Sequence, residues 1–451
     1  MAHERENQLS TSTGPQLQRS LKLWNLVLYG IIIVQPTAPM GIYGVVSNIA
    51  HGHVTTTVFI AMCAMLLTAI SYGRMARVYP KAGSAFSYVS EELHPRLGYL
   101  VGWAMLMDYI LNPVICVIWC SQAARNVAPE VPYWAWVIAF ALLSTFLNTR
   151  GIQTSSRVNA VLAVFMSVVV LLFLGYGVHY IVTLVHPTAA DLARPLYDRS
   201  NFAASAVFHG TSVAVLTYIG FDGISTMAEE VENPRRNILI ATVLTCLIIG
   251  VLSMAQVYVA QLAWPGREAF PAGMVDTAFV HVANRVGGRF LFQLLNGTLL
   301  IANMGSAVAA QFGASRLLYG MGRSHSLPGG FFGAIDSKYH VPRNNVLLIG
   351  AIALIGPLFL TYEQGAELLN FGAFIAFIGV NAAALLHYKY RSKERVAFPF
   401  LCPAVAIVVC LFIWWNLSTN AKLLGVMWLF AGVLLAVAMH RQSRSRDAMP
   451  R

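Results

Sequence analysis

Asp222 stands between two glycines, in Tyr218-Ile219-Gly220-Phe221-Asp222-Gly223, inside an otherwise apolar run. An ionisable side chain at such a depth costs roughly 3 kcal/mol and ordinarily faces a cavity or a partner. A carboxylate there pairs with a cation or takes up a proton. Earlier in the chain, Val34-Gln35-Pro36-Thr37-Ala38-Pro39-Met40-Gly41 interrupts another apolar run. Each proline removes a backbone donor and collides with the preceding turn. Non-helical backbone at membrane depth is tolerated where it is buried in protein or lines a cavity. Both stretches are therefore expected to be broken helices lining one binding site. Its residues are Gln35, Thr37, Met40 and Gly41 from the first, and Tyr218, Ile219, Gly220, Phe221 and Asp222 from the second. The competing readings are a plain proline kink and a capping role for Asp222.

Other polar groups lie in apolar surroundings. Asp108 and Asn112 are one turn apart and are candidates for coupling or gating, with Asp222 and Ser306; a structural bond to a neighbouring loop competes. Asn303, Ser306 and Gln311 share a helix side and would complete the cavity or a cation site, unless they only join helices. Glu363 and Glu367 fall near outer segment ends and are expected to be solvated. His51 and His53 flank a glycine, and two histidines do not make a metal site. The six cysteines lie in apolar runs without metal-type spacing or a disulfide framework. There is no nucleotide motif, no nucleophile with a base and no metal cluster, so an enzyme is not expected. Nor is a cofactor, beyond a coupling ion, H+ or Na+.

The elements that must position these groups are membrane-spanning helices. The chain has 451 residues, 57% of them hydrophobic and 11% charged, where soluble domains carry about 25% charged residues. Hydropathy marks about twelve spans, near 23–49, 55–76, 97–124, 131–148, 156–181, 203–229, 236–262, 288–319, 343–361, 366–388, 398–417 and 422–440. The net charge of +11 sits mostly between these runs and sets topology rather than binding nucleic acid. With the N-terminus inside, all of the 30 Lys and Arg residues except Arg125, Arg194, Arg199, Arg267, Arg285, Arg289 and Lys422 are inside. This asymmetry places both termini in the cytosol. The residues after Tyr79-Pro80-Lys81-Ala82-Gly83-Ser84 suit a short interfacial helix. Asn233 is placed to cap the helix that Pro234 begins. The acids and arginines from Glu229 to Arg236 form either an ion-pair network or a solvated loop. The two breaks fall in the first and sixth spans, corresponding places in two blocks of five, which points to an inverted-repeat transporter site.

Four stretches carry a resemblance over nearly the whole chain: PKAGSAFSY (80–88), GYLVGWAMLMDY (98–109), GFDGISTMAEEVENPRRN (220–237) and ASRLLYGMGRSHSLP (314–328). Together they resemble the amino acid–polyamine–organocation transporter superfamily. The long first break, SLKLWNLV and VSNIAHGHV look most like its bacterial putrescine-importer branch. The resemblance implies an all-α polytopic fold with a 5+5 inverted-repeat core, broken helices 1 and 6, and two peripheral helices. That divides the chain into a cytosolic tail (1–22), a ten-helix transport core (23–388), peripheral helices 11 and 12 (389–440) and a cytosolic tail (441–451). It also implies secondary transport by alternating access in the inner membrane, and makes Tyr218 and Phe221 the aromatic gate.

Many amino-acid-selective relatives hold the substrate carboxylate on a Gly-Ser-Gly-like first break. Here Pro36 and Pro39 supply no amide donor. Relatives that carry neutral amino acids also have an acid at the position of Asp222, so that residue alone does not name the substrate. Proton-coupled relatives have a lysine midway along the fifth span, where Met166 stands. The expected function is import of a small organic cation, putrescine or another polyamine, with an amino-acid permease of the same fold as the alternative. A membrane sensor would add a soluble output domain. The expected partners are the small-molecule substrate and membrane lipid.

Overall fold

The computed structural model describes residues 21–80, 84–151, 156–228, 230–264, 269–271, 273–323, 327–392 and 400–447. The N-terminal tail as far as Ser20, Glu229 and residues 448–451 lie outside them. The described residues are nearly all helical, as the apolar runs require, because in lipid a helix satisfies every backbone group within its own segment. The long helices are α1 Leu23–Val34, α2 Ala38–Ile49, α3 Val54–Val78, α5 Pro95–Arg125, α6 Tyr133–Thr149 and α7 Ser156–Tyr180. They continue with α9 Ala204–Ala214, α11 Pro234–Ala263, α12 Ala278–Arg323, α14 Arg343–Ile355, α15 Tyr362–Leu386, α16 Leu401–Trp415 and α17 Thr419–Asp447. Short helices lie between them: α4 Ser84–Glu92, α8 Ala189–Ala193, α10 Gly223–Thr226 and α13 Gly329–Phe332. Among the described residues, eight helical stretches are long and apolar enough to cross a membrane. The pair α1 and α2, bent by 44°, adds a ninth, and Tyr133–Thr149, Arg343–Leu358 and Leu401–Trp415 are shorter apolar helices.

The core sits where α3 packs on α11, and where α5 packs on both α12 and α15. Small residues permit the close approaches: a Cβ on Gly73 would lie 2.5 Å from the Leu239 Cα, the kind of contact that draws membrane helices together. The outward faces of α7, α16 and α17 carry exposed Val164, Leu171, Val408, Phe412, Met427 and Phe430, as lipid-facing helices do. We call inner the face that the charge asymmetry assigns to the cytosol, and outer the opposite one.

The structure adds detail to several local expectations and changes others. The eighth segment starts after a break at Gly287 and Gly288 (φ 63°), where hydropathy places it, and a separate helical stretch from Ala278 precedes it. Asn233 adopts a left-handed conformation (φ 52°) and its side chain does not cap α11, although Pro234 does begin it. The described residues of 230–236 show no ion pair; backbone bonds hold the loop instead, Leu21 N–H to Glu230 O and Glu232 N–H to Leu21 O. The last helix runs on to Asp447, past the expected end at 440. The short helix after the second segment is present as α4.

Candidate functional site

The first break is built as its sequence requires. Gln35 ends α1 with φ 69° and ψ 130°, a strained conformation for a residue with a Cβ. Pro39 falls in the first turn of α2, where its missing N–H leaves no gap in the helix. Two amide side chains hold the broken backbone. Gln256 of α11, fully buried, donates from Nε2 to the Pro36 carbonyl at 3.0 Å. Gln35 donates from Nε2 to the Ala302 carbonyl of α12 at 3.3 Å. Gln256 carries a signal legible in the sequence, an amide midway along an apolar segment, but its partner is not legible there.

The second break follows α9. A 3-10 turn, Val215–Tyr218, leads to Ile219 in an extended conformation (ψ 133°) and then α10 begins at Gly223. Gly220 has φ 113°, open to glycine and to few other residues. A Cβ there would lie 2.6 Å from Ile33 Cγ2, and one on Gly223 would lie 3.3 Å from Ile33 Cδ1. The two breaks therefore touch, through α1. Gly220→Ala is expected to displace Ile33 and force a left-handed alanine, at a cost of roughly 1–3 kcal/mol. A lower melting temperature of the detergent-solubilised protein together with lost transport is the expected outcome; unchanged values for both would show that the break tolerates a side chain.

Asp222 and Asp108 are both half-buried and lie within electrostatic reach of each other. Tyr29, Tyr72 and Tyr109 share that neighbourhood with Asp222. The backbone amides of Gly220, Asp222 and Gly223 lie against the Asp222 carboxylate. Among the described residues neither aspartate is paired with a basic side chain. The site thus holds two carboxylates within electrostatic reach of each other and, among the described residues, no paired cation from the protein.

The remaining candidates separate into those at the site and those taken up by packing. Asn112 lies one turn from Asp108, and its Oδ1 accepts from Ser306 Oγ at 3.2 Å and from Cys116 Sγ at 3.4 Å. Asn303 donates to Leu299 O of its own helix. Gln311 faces elsewhere: it bonds Asn148, Thr145 and the Val346 carbonyl, tying α12 to α6 and α14. Tyr218 is fully buried, with its hydroxyl on the Val58 carbonyl at 3.0 Å. Phe221 is equally buried, edge-on to Tyr72 at 5.4 Å and tilted against Phe377 at 5.5 Å. Both rings, expected as a gate, are occupied by packing here. Thr37 and Met40 are buried as well.

Sequence reasoning missed the wall opposite Gly41. A Cβ on Gly41 would lie 3.2 Å from the Tyr362 hydroxyl and 3.8 Å from Trp119 Nε1. Trp119 is 1% exposed and its Nε1 has no hydrogen-bond partner. Beyond it the outer half is closed: residues 39–46 of α2 are all buried. Tyr43 packs edge-on against Phe270 at 5.8 Å and Phe279 at 5.4 Å. On the inner side α1 buries Leu26, Val27, Gly30 and Val34 and turns Trp24 and Leu28 outward.

Outside this plug lies a cavity of about 500 Å³, lined by Tyr43, Asn48, His51, His53, Asp191 and Trp264 among others. Its rim, the residues after α7, is held to α3 and α11. Thr56 Oγ1 donates to Leu196 O at 2.5 Å, and Tyr258 donates to Leu192 O at 2.9 Å. His53 spends both ring nitrogens on backbone, Nδ1 with Ala50 O at 2.9 Å and Nε2 with the Asp198 N–H at 3.1 Å. Among the described residues, no group of three or more His, Cys, Asp or Glu could hold a metal ion.

Glu367 is the clear correction. It was expected to be solvated, yet it is 1% exposed and buried between helices. His209 Nε2 lies 2.8 Å and the Ser418 N–H 3.0 Å from its Oε1. Hydropathy marks only the segment end, and not the α9 and α17 residues that cover it.

Comparison with known proteins agrees with this architecture. The amino acid permease family profile matches residues 36–439. The low-affinity putrescine importer PlaP of Escherichia coli (strain K12) is 30% identical over 443 residues, 95% of each chain. The methylthioribose transporter of Bacillus subtilis (strain 168) is 25% identical over 94% of each chain. The branched-chain amino acid permease BcaP of Lactococcus lactis subsp. cremoris (strain MG1363) is 25% identical, over 84% of this chain and 85% of its own.

Proposed function

The chain belongs to the amino acid permease family, and from that premise we propose that it is a secondary transporter importing a small organic cation, putrescine or a related polyamine. The observation that carries the reading is the pair of carboxylates, Asp108 and Asp222, beside the helix breaks, with no basic side chain paired to either among the described residues. A substrate ammonium supplies the missing charge, and the rings of Tyr29 and Tyr109 add faces that attract alkylammonium groups. The prolines of the first break leave few amides for a carboxylate. Residues Gln35 to Gly41, Ile219 to Asp222 and Asn303 line the path in this reading, with Asn112 and Ser306 as gating partners. The similarity to a putrescine importer supports the same substrate class.

The architecture in this proposal is twelve spans, the first ten forming two inverted blocks of five and the last two peripheral. Both termini are cytosolic, and the location is the inner membrane. The buried run 39–46 of α2 fits a carrier shut toward the outside, one of the states that alternating access requires. The coupling ion is H+ or Na+; Met166, 5% exposed within α7, has no proton to carry.

The second reading, an amino-acid permease, gains from one observation: the unpartnered Trp119 indole N–H beside Gly41 offers a donor to a carboxylate. Uptake of labelled putrescine into proteoliposomes, with and without an inward proton gradient, separates the two. Saturable, protein-dependent putrescine uptake supports the organic-cation reading. No uptake, with counterflow of an amino acid on the same vesicles, would replace it by the second.

A further inference from the structure

The pair His209–Glu367 lies outside the two breaks and is not among the groups proposed to recognise substrate. Glu367 has 2% of its side chain exposed and His209 has 34%. The imidazole Nε2 is 2.8 Å from Glu367 Oε1, and the ring's Nδ1 makes no hydrogen bond among the described residues. The pair joins two elements with different histories in the chain. His209 is on α9, the outer half of the broken sixth segment, whereas Glu367 is on α15, which is continuous. A second bond between the same helices, Asn370 Nδ2 to Ser212 O at 2.7 Å, contains nothing that titrates. The contact between α9 and α15 is therefore held by one clip that responds to protons and one that does not.

The charged groups around the pair are few. Glu363 stands one turn away on α15, and Lys422 faces it from α17. Asp276, on the turn before α12, is within reach of Glu363. Lys422 is engaged with the Trp415 carbonyl at 2.9 Å. From α16 the neighbour is Phe412, edge-on to Phe208 at 4.7 Å.

We propose that His209 and Glu367 form a proton-binding site that clasps the outer end of the transporter shut. With neutral imidazole, the Nε2–H donates to the carboxylate. A proton arriving from outer water binds the Nδ1 lone pair. The contact then becomes an imidazolium–carboxylate pair, in which the attraction of two full charges is added to a bond whose acceptor was already ionised. No other bond forms or breaks, and the proton returns to the outer side when the clasp loosens. It governs outer closure and is not counted among co-transported ions. The inference takes the outer face from the transport reading above, but it does not depend on which substrate is carried.

Cys116 provides the readout. It is 4% exposed, bonded to Asn112 beneath the sealed outer half, and becomes reachable from outside only when that half opens. In a protein keeping Cys116 and lacking the other five cysteines, its labelling by a membrane-impermeant thiosulfonate is followed from outer pH 8 to 5.5. The same series is run with His209→Gln, which keeps a donor for Glu367 but cannot bind the proton. The fall in thiolate with pH is common to both, so the ratio of the two rates is what is read. The ratio is expected to drop about tenfold toward pH 5.5, which corresponds to about 1.4 kcal/mol of extra closure. A ratio that stays constant across the range overturns the proposal, whatever the substrate proves to be. If His209→Gln does not fold, Glu367→Gln, which keeps the acceptor and removes its charge, is read in the same way.

Discussion

Asp222→Asn is expected to reduce diamine uptake by roughly 10- to 100-fold while leaving the protein folded. The estimate takes the loss of one hydrogen bond to a charged group, about 1.5–3 kcal/mol, as a loss of substrate binding. The substitution is nearly isosteric. An asparagine oxygen still accepts from the amides of Gly220, Asp222 and Gly223 that lie against the carboxylate. Only the charge is lost. If Asp222 serves as a cap for α10, the variant keeps its uptake. If it meets the substrate ammonium, the variant loses uptake and keeps its melting temperature. Transport rate and thermal stability measured on one preparation therefore decide between two roles that the sequence leaves open.

How far each feature could be read from the chain follows from where its partners lie. The breaks were legible because proline and glycine act locally: Pro36 and Gly220 disturb a helix whatever surrounds them. The spans were legible because a run of apolar residues at helical length has few other uses. Partners distant in sequence were not legible. Gln256 looks like any amide in a span until its bond to Pro36 is seen. Glu367 looks solvated because it is near a segment end, and it is the crossing of α9 that buries it. Tyr218 and Phe221 are aromatic in a suitable place for a gate, yet Val58 and Phe377 already claim them. The short helical stretch before Gly288 was hidden because nine residues, 278–286, are too few to register as a span.

Glu92→Ala has the second large expected effect, and on the inner side. Glu92 closes α4, and its side chain is wholly buried. Three donors meet its carboxylate: Tyr79 Oη at 2.7 Å, His387 Nδ1 at 2.6 Å and Arg391 Nη1 at 3.0 Å. At the other end of α4, Ser84 Oγ is 2.9 Å from Ser225 Oγ of α10. This short helix is thus a strut running from the second break to the end of α15. Removing one member of a buried charged cluster costs about 3 kcal/mol, since the imidazole and phenol are left without their acceptor. Arg391, more than half exposed, can turn to water and limits the loss. A clear fall in melting temperature is expected for Glu92→Ala, with a smaller one for Glu92→Gln, which keeps an acceptor. Tyr79 gives an independent reading. Burial first, and the bond to Glu92 second, push its phenol up to about 12. In Glu92→Ala the second cause is gone, and the Tyr79 phenol should ionise at lower pH in a tyrosine-selective NMR titration. Equal stability in all three proteins would mean that the strut carries no load.

In the proposed transporter the site recognises ammonium groups with carboxylates and has little to hold a substrate carboxylate. Ornithine tests it most directly, because it is putrescine with a carboxylate on one terminal carbon. Displacement of labelled putrescine from the purified protein would be measured for unlabelled putrescine and for ornithine side by side. Ornithine is expected to bind at least tenfold more weakly, its extra carboxylate facing Asp108 and Asp222 with few amides from the proline-bearing first break to hold it. Ornithine or leucine displacing as well as putrescine, or better, would contradict it and give Trp119 the role of carboxylate donor.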